Sequence, residues 1–221
     1  MRNIIDLFFP SICIQCGRLI SFFDNHLCSD CLSGLSDAES GCPKCGSSLS
    51  EDGSCEFCGS RSVYFDKNII VCQNNKIFRK MIYQYKFSGK KRLAEHFYQS
   101  SIPKIESFLN DSGNIFDCIT AVPIKKSKIK TRGYNQSEII ARKLSKHFKV
   151  DYYDILSDKN MVEQKKLNYS DRFIYTIDRF VPKKVKCEGN ILIVDDVFTS
   201  GATINECSRI LKKWDLIKYF H

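Results

Sequence analysis

Two apolar runs in this chain read as strands buried on both faces. One is Ile191–Val194, four unbroken aliphatic residues that end at Asp195 and Asp196; the other is residues 115–122, Ile-Phe-Asp-Cys-Ile-Thr-Ala-Val. Continuous rather than alternating hydrophobicity is the pattern of a parallel sheet. Helical spacing follows each run: Ile204, Cys207, Ile210 and Leu211 predict a helix over 202–213, and Ile139, Ile140 and Leu144 predict one starting at Asn135, with Glu138 as its capping-box partner. Upstream, Ile77, Met81, Ile82 and Tyr85 share one helical face until Phe87-Ser88-Gly89 interrupts it. A second helical stretch carries Leu93, Ala94 and Phe97 and continues past Pro103 through Phe108. Shorter strand-like runs stand at 63–65, 69–72 and 151–156, and a closing strand is expected at 216–220, with no specific site for a free nucleobase. Strands alternating with helices predict an α/β fold with a mainly parallel sheet.

Composition changes this picture at the N-terminus. Eight of the twelve cysteines fall in the first 60 residues, as Cys13-x-x-Cys16, Cys28-x-x-Cys31, Cys42-x-x-Cys45 and Cys55-x-x-Cys58. Four such pairs fit two tetrahedral sites of four thiolates, and zinc is the expected ion, with two per chain. The simplest partition is consecutive, although an interleaved one satisfies the same spacing. Disulfides are the competing reading, but no signal peptide or membrane span is evident in the sequence and a cytoplasmic setting is expected. Gly17, Gly46 and Gly59 after three of the pairs suit metal knuckles, whereas the Cys28 pair resembles a helix start. The remaining cysteines, Cys72, Cys118, Cys187 and Cys207, are expected to be packing residues. Boundaries of 1–62 for the zinc-binding module and 63–221 for the α/β domain follow.

Charge is divided along the same line. The net formal charge is +9, but residues 1–60 hold three basic and eight acidic residues, leaving 31 basic against 17 acidic in the rest. A basic α/β domain points to an anionic ligand, a phosphorylated metabolite or a nucleic acid. Single-stranded DNA suits that charge, although no aromatic stacking platform is evident among the basic residues.

Two stretches could hold such an anion. Thr199, Ser200, Gly201, Ala202 and Thr203 link the strand 191–194 to a helix, where free backbone N–H groups and the helix dipole favour a phosphate. Asp195 and Asp196 would then face hydroxyl groups or a metal. Five of the eight residues 125–132 are basic, including Lys125, Lys126 and Arg132, and they follow the other buried strand. Parallel strands would bring both loops to one carboxyl edge, where two anion sites match a ligand with a phosphate at one end and a pyrophosphate at the other. The polar stretch 157–172, with Lys159, Lys165, Lys166 and Arg172, reads as a lid over the pyrophosphate or as a surface insertion.

The string from Ile191 to Thr203 resembles the signature of the type I phosphoribosyltransferases, which bind phosphoribosyl pyrophosphate. That resemblance implies that Asp195 and Asp196 contact the ribose hydroxyls and that Thr199–Thr203 cradles the 5′-phosphate. With the four cysteine pairs, Tyr85-Lys-Phe-x-Gly89, Ala121-Val-Pro, Arg132-Gly-Tyr-Asn135-Gln136 and Gln164-x-x-Leu167 before Arg172, nearly the whole chain resembles the ComF family. The chain has Tyr175 and Met161 where that family usually carries Asn and Thr. The resemblance implies a phosphoribosyltransferase-like fold behind a double zinc ribbon, Mg²⁺ taken up with phosphoribosyl pyrophosphate, and a role in natural competence beside other competence proteins. Transfer to an unknown acceptor would use Lys125, Lys126 and Arg132 to stabilise the departing pyrophosphate. The alternative is a DNA-binding or adaptor protein that uses the pocket as a ligand sensor.

Overall fold

The computed structural model describes residues 11–35, 41–159, 179–185 and 187–218, and side chains up to Trp214. The chain divides into two compact units, one of residues 1–39 and 70–107, the other of 40–69 and 108–221. These units cut across the boundary expected at residue 62, because each cysteine quartet belongs to a different unit.

In the first unit a two-residue hairpin, β1 (Ser11–Ile12) with β2 (Leu19–Ile20), precedes the short helix α1 (Ser29–Leu32). The long helices are α3 (Lys76–Phe87) and α4 (Ala94–Ser112). Asn75 caps α3 by accepting from the Phe78 N–H at 2.9 Å and donates from its amide to the Gly34 carbonyl, so one side chain both starts the helix and ties it to the cysteine segment. The apolar face of α3 buries Met81 and Tyr85, and the Tyr85 ring meets Phe97 of α4 at 5.6 Å. α4 runs through Pro103 without a break.

The second unit holds the sheet. β3 (Cys118–Ala121) and β6 (Ile191–Val194) are parallel neighbours, with Cys118 opposite Ile191 and Ala121 opposite Val194. On its other side β3 receives a parallel bridge at Tyr152, with Ile119 N donating to Asp151 O. β4 (Leu156–Asp158) and β5 (Phe180–Pro182) form an antiparallel pair. Helix α6 (Gln136–Phe148) packs on β3 and β6, and α7 (Ala202–Lys218) packs against β5. The core joins Val122, Ile155, Leu156, Phe180, Ile204 and Ile210 to Cys42, Cys45 and Phe57, so the second cysteine quartet shares the hydrophobic core of the sheet.

Several expectations need correction. Residues 63–65 and 69–71 form no strand, and Cys72 makes only an isolated bridge. The strand expected over 151–156 is reduced to the bridge at Tyr152, and pairing resumes at 156–158 against a partner, 180–182, that has no long apolar run to announce it. The basic run is the helix α5 (Lys126–Arg132) rather than a loop, stopped by Gly133 at a φ of 81°. Glu138 pairs with Arg142 one turn on instead of closing a capping box; Asn135 alone caps α6, accepting from the Ser137 N–H. Residues 216–218 continue α7 in place of the expected closing strand. Cys118 and Cys187 are joined by a disulfide, since the approach to β6 runs beside the start of β3 and brings their Cα atoms to 6.5 Å. Among the described residues no helix is long and apolar enough to cross a membrane.

Candidate functional site

The register of β3 on β6 sets the site. Val122 N donates to Val194 O at 2.9 Å, so the two strands end level and the chain leaves both at the same edge. From β6 it passes through Asp195 and Asp196 into the hydroxyl loop, then into α7 at Ala202. Within the loop Thr199 is exposed, Ser200 is buried at 4 % exposure and Gly201 adopts a φ of 64°. From β3 the chain passes through Lys125 into α5, with Lys126 exposed and Lys125 and Arg132 partly covered. The hydroxyl loop and the basic helix therefore flank one edge of the sheet, as the parallel reading required.

The two acids are not equivalent. Asp195 Oδ1 accepts from the Ser137 hydroxyl at 3.3 Å and from the Asp196 N–H at 2.8 Å, so one carboxylate oxygen is committed to the first turn of α6 and to its own backbone. Ser137 is itself buried, and Asn135 holds the same turn from the other side by donating to Val122 O. This connects the ends of β3 and β6 through α6. Below it, burial first and Asp195 second push the Cys207 thiol well above its usual range, which makes it a packing residue.

The eight N-terminal cysteines form two groups, Cys13, Cys16, Cys28 and Cys31 in the first unit and Cys42, Cys45, Cys55 and Cys58 in the second, with sulfurs in each group within 4.8 Å of one another. This is the consecutive partition. Sulfurs at the corners of a zinc tetrahedron with bonds of about 2.3 Å lie about 3.8 Å apart, and here Cys16 to Cys28 is 3.9 Å, Cys42 to Cys58 is 3.7 Å and Cys45 to Cys55 is 3.4 Å. Both quartets fit zinc. Each combines one knuckle, closed by Gly17 N on Cys13 O or Gly46 N on Cys42 O, with one helical turn, α1 or α2 (Glu56–Gly59). Gly17 and Gly46 take positive φ as expected; Gly59 instead lies inside α2, so the fourth pair is a helix start like the second. At Cys42 the Cys45 N–H is the largest influence and lowers the thiol to about 6 against burial; at Cys13 burial is the largest influence, but the N–H groups of Cys16, Cys28 and Gln15 together outweigh it to reach about 6. Knuckle amides thus favour the thiolate that a metal needs.

A family model of the double zinc ribbon domain matches residues 4–59. The chain is 27 % identical to competence protein F of Haemophilus influenzae, covering 93 % of each chain. It is 24 % identical to competence protein ComFC of Streptococcus pneumoniae, over 91 % of this chain and 93 % of that protein. These relatives and the double zinc ribbon match support the ComF resemblance. A further relative, the DNA utilization protein YhgH of Escherichia coli K12, is 22 % identical over 91 % of both chains.

The ComF motifs are now placed. Tyr85-Lys-Phe-x-Gly89 closes α3, with Tyr85 fully buried and Gly89 at a φ of 66°. Arg132-Gly-Tyr-Asn-Gln is the hinge from α5 into α6, and Val194–Thr203 is the edge loop. The motif from Gln164 to Arg172, Lys165 and Lys166, Tyr175 and Met161 lie outside the described residues, as does the expected lid beyond Lys159.

Sequence reasoning missed three contributors. Ser137 carries no motif of its own beyond following Asn135-Gln136. Phe57 sits between two cysteine ligands and packs its ring on Gly201. The exposed face of α3 carries Arg79, Lys80, Tyr83 and Phe87, a spacing visible in the sequence but read only for its apolar side.

Proposed function

We propose that this chain binds phosphoribosyl pyrophosphate at the edge formed by β3 and β6 and serves natural competence and DNA utilization, the roles named for its relatives. The observation that carries the reading is the parallel register of Ala121 on Val194, which brings the hydroxyl loop and the basic helix to one edge. A phosphate would accept from the loop N–H groups and hydroxyls of Thr199–Thr203, and a pyrophosphate would meet Lys125, Lys126 and Arg132. Asp195 and Asp196 would accept from the ribose hydroxyls, with Asp195 steadied by Ser137. Mg²⁺ arriving with the ligand would offset charge between the acids and the phosphates. Transfer to an acceptor would then rest on cations stabilising the departing pyrophosphate. A thermal-shift titration tests binding: ligand with Mg²⁺ at about 100 times Kd adds about 2.7 kcal/mol of stability, and an unmoved melting temperature overturns the reading. Pyrophosphate release with candidate acceptors separates an enzyme from a ligand sensor.

A second reading, single-stranded DNA binding, is favoured by one surface. From Lys76 to Arg92 the chain has seven basic residues and no acidic one, and Tyr83 and Phe87, four residues apart on α3, are 58 % and 67 % exposed with ring centroids 5.2 Å apart. Basic side chains neutralise phosphates while exposed rings stack on bases of any sequence. Fluorescence anisotropy with a labelled oligothymidylate tests it. Affinity should fall steeply with salt, and Tyr83→Ala with Phe87→Ala should cost about 1–3 kcal/mol per stacked base. Equal affinity in the variants would remove this surface from the account.

A further inference from the structure

We infer that Phe57, carried by the second zinc ribbon, is a positioning residue for the hydroxyl loop, so that this ribbon is the back wall of the ligand site and not only a folding staple. The inference rests on the proposed phosphate-binding role of residues 199–203. A Cβ built on Gly201 would stand 2.6 Å from both Cε2 and Cζ of Phe57 and 2.8 Å from Cζ of Phe198. The loop backbone therefore lies directly on the ring, at a residue whose φ of 64° also favours glycine. Phe57 is 3 % exposed and meets Phe198 at 5.9 Å and Phe65 at 6.1 Å, which encloses the loop from within.

A second set of contacts fixes the same junction. Asn205, 2 % exposed in the first turn of α7, accepts from Tyr64 N at 2.7 Å and donates to Ser62 O at 2.9 Å, and its own N–H donates to Gly201 O. The segment leaving the ribbon is thus stitched to the helix that begins at the loop. Because Phe57 lies between Cys55 and Cys58 on a single helical turn, the metal quartet sets where the ring stands. N–H groups that bind a phosphate must hold their direction before the ligand arrives, and a packed ring behind glycine supplies that without blocking the open side.

The test uses the full chain and the variants Phe57→Leu and Phe57→Ala. Three readouts are taken: zinc content, amide hydrogen exchange over residues 197–205, and calorimetric titration with phosphoribosyl pyrophosphate and Mg²⁺. Phe57→Leu should retain its zinc, exchange faster over 197–205, and bind about tenfold more weakly, with Phe57→Ala showing the larger change. Unchanged loop exchange in a zinc-loaded Phe57→Ala overturns the inference whatever the ligand does. Should the wild-type chain not bind phosphoribosyl pyrophosphate, the proposed function fails while faster exchange in the variants still supports the brace. Wild-type affinity in both variants would overturn the brace and leave the proposed function standing.

Discussion

The hydroxyl of Ser137 donates to Asp195 Oδ1 at 3.3 Å, joining the first turn of α6 to the first residue after β6. Asp195 therefore has one oxygen occupied by the protein, and its orientation depends on a residue outside the signature in which it stands. Ser137→Ala should cost about 1 kcal/mol of stability and weaken phosphoribosyl pyrophosphate binding with little change in zinc content. Chemical denaturation and calorimetric titration check both. Ligand affinity equal to wild type would mean that Asp195 is aligned without Ser137.

Two quartets with sulfur spacings suited to a zinc tetrahedron predict two zinc ions per chain. Atomic absorption on protein purified without added zinc should find both, and Cys16→Ser or Cys45→Ser should each lower the content by about one ion. A content of one in the wild type would contradict the two-site account.

Arg179, just before β5, donates from Nε at 3.0 Å and from Nη2 at 2.7 Å to the single oxygen Oδ2 of Asp158 at the end of β4, whose side chain is 1 % exposed. Arg179→Met leaves that carboxylate buried without its cation and should destabilise the chain by about 3–5 kcal/mol. Combining it with Asp158→Leu should recover much of the loss. Denaturant midpoints measure the cycle, and a single variant as stable as wild type would show that the pair contributes nothing.

Burial holds both His26 and His96 below their ordinary values, with Lys90 and Arg92 adding to the effect at His26; His96 Nε2 meets the Asp24 carbonyl at 3.1 Å. The unfolded chain consequently binds more protons as pH drops through about 6.5, so stability is present above that pH and declines below it. Melting temperatures at about pH 7.5 and about pH 5.5 should differ less in His96→Gln than in the wild type. Parallel pH dependence in the two would contradict this.

Legibility in the sequence followed how local the determining physics is. β6, its acids and α7 were readable because an aliphatic run, a hydroxyl-rich turn and helical spacing lie within 14 residues of one another. The consecutive cysteine partition was the simplest reading of a spacing that an interleaved one also satisfies, and Asn135 was readable as a helix start because capping is a contact within one turn. What failed was non-local. β5 has a three-residue strand set by pairing with β4, and Cys118 finds Cys187 across 69 positions. Glu138 had two local partners to choose between, Asn135 and Arg142, and the charged one prevailed. Phe57 went unnoticed because nothing in the ribbon marks it as a contact for Gly201.

The central claim is that the edge shared by β3 and β6 is a site for phosphoribosyl pyrophosphate. Its most direct test is calorimetric titration of the wild-type chain and of Asp195→Asn/Asp196→Asn with this ligand and Mg²⁺, alongside their melting temperatures. Asparagine keeps an oxygen that can accept from Ser137 and from the Asp196 N–H, so the fold should persist while the charge that balances the metal is lost. The account predicts saturable binding by the wild type and at least about a hundredfold loss in the double variant, since each charged hydrogen bond is worth about 1.5–3 kcal/mol. No binding by the wild type, or equal binding by a folded double variant, would contradict it.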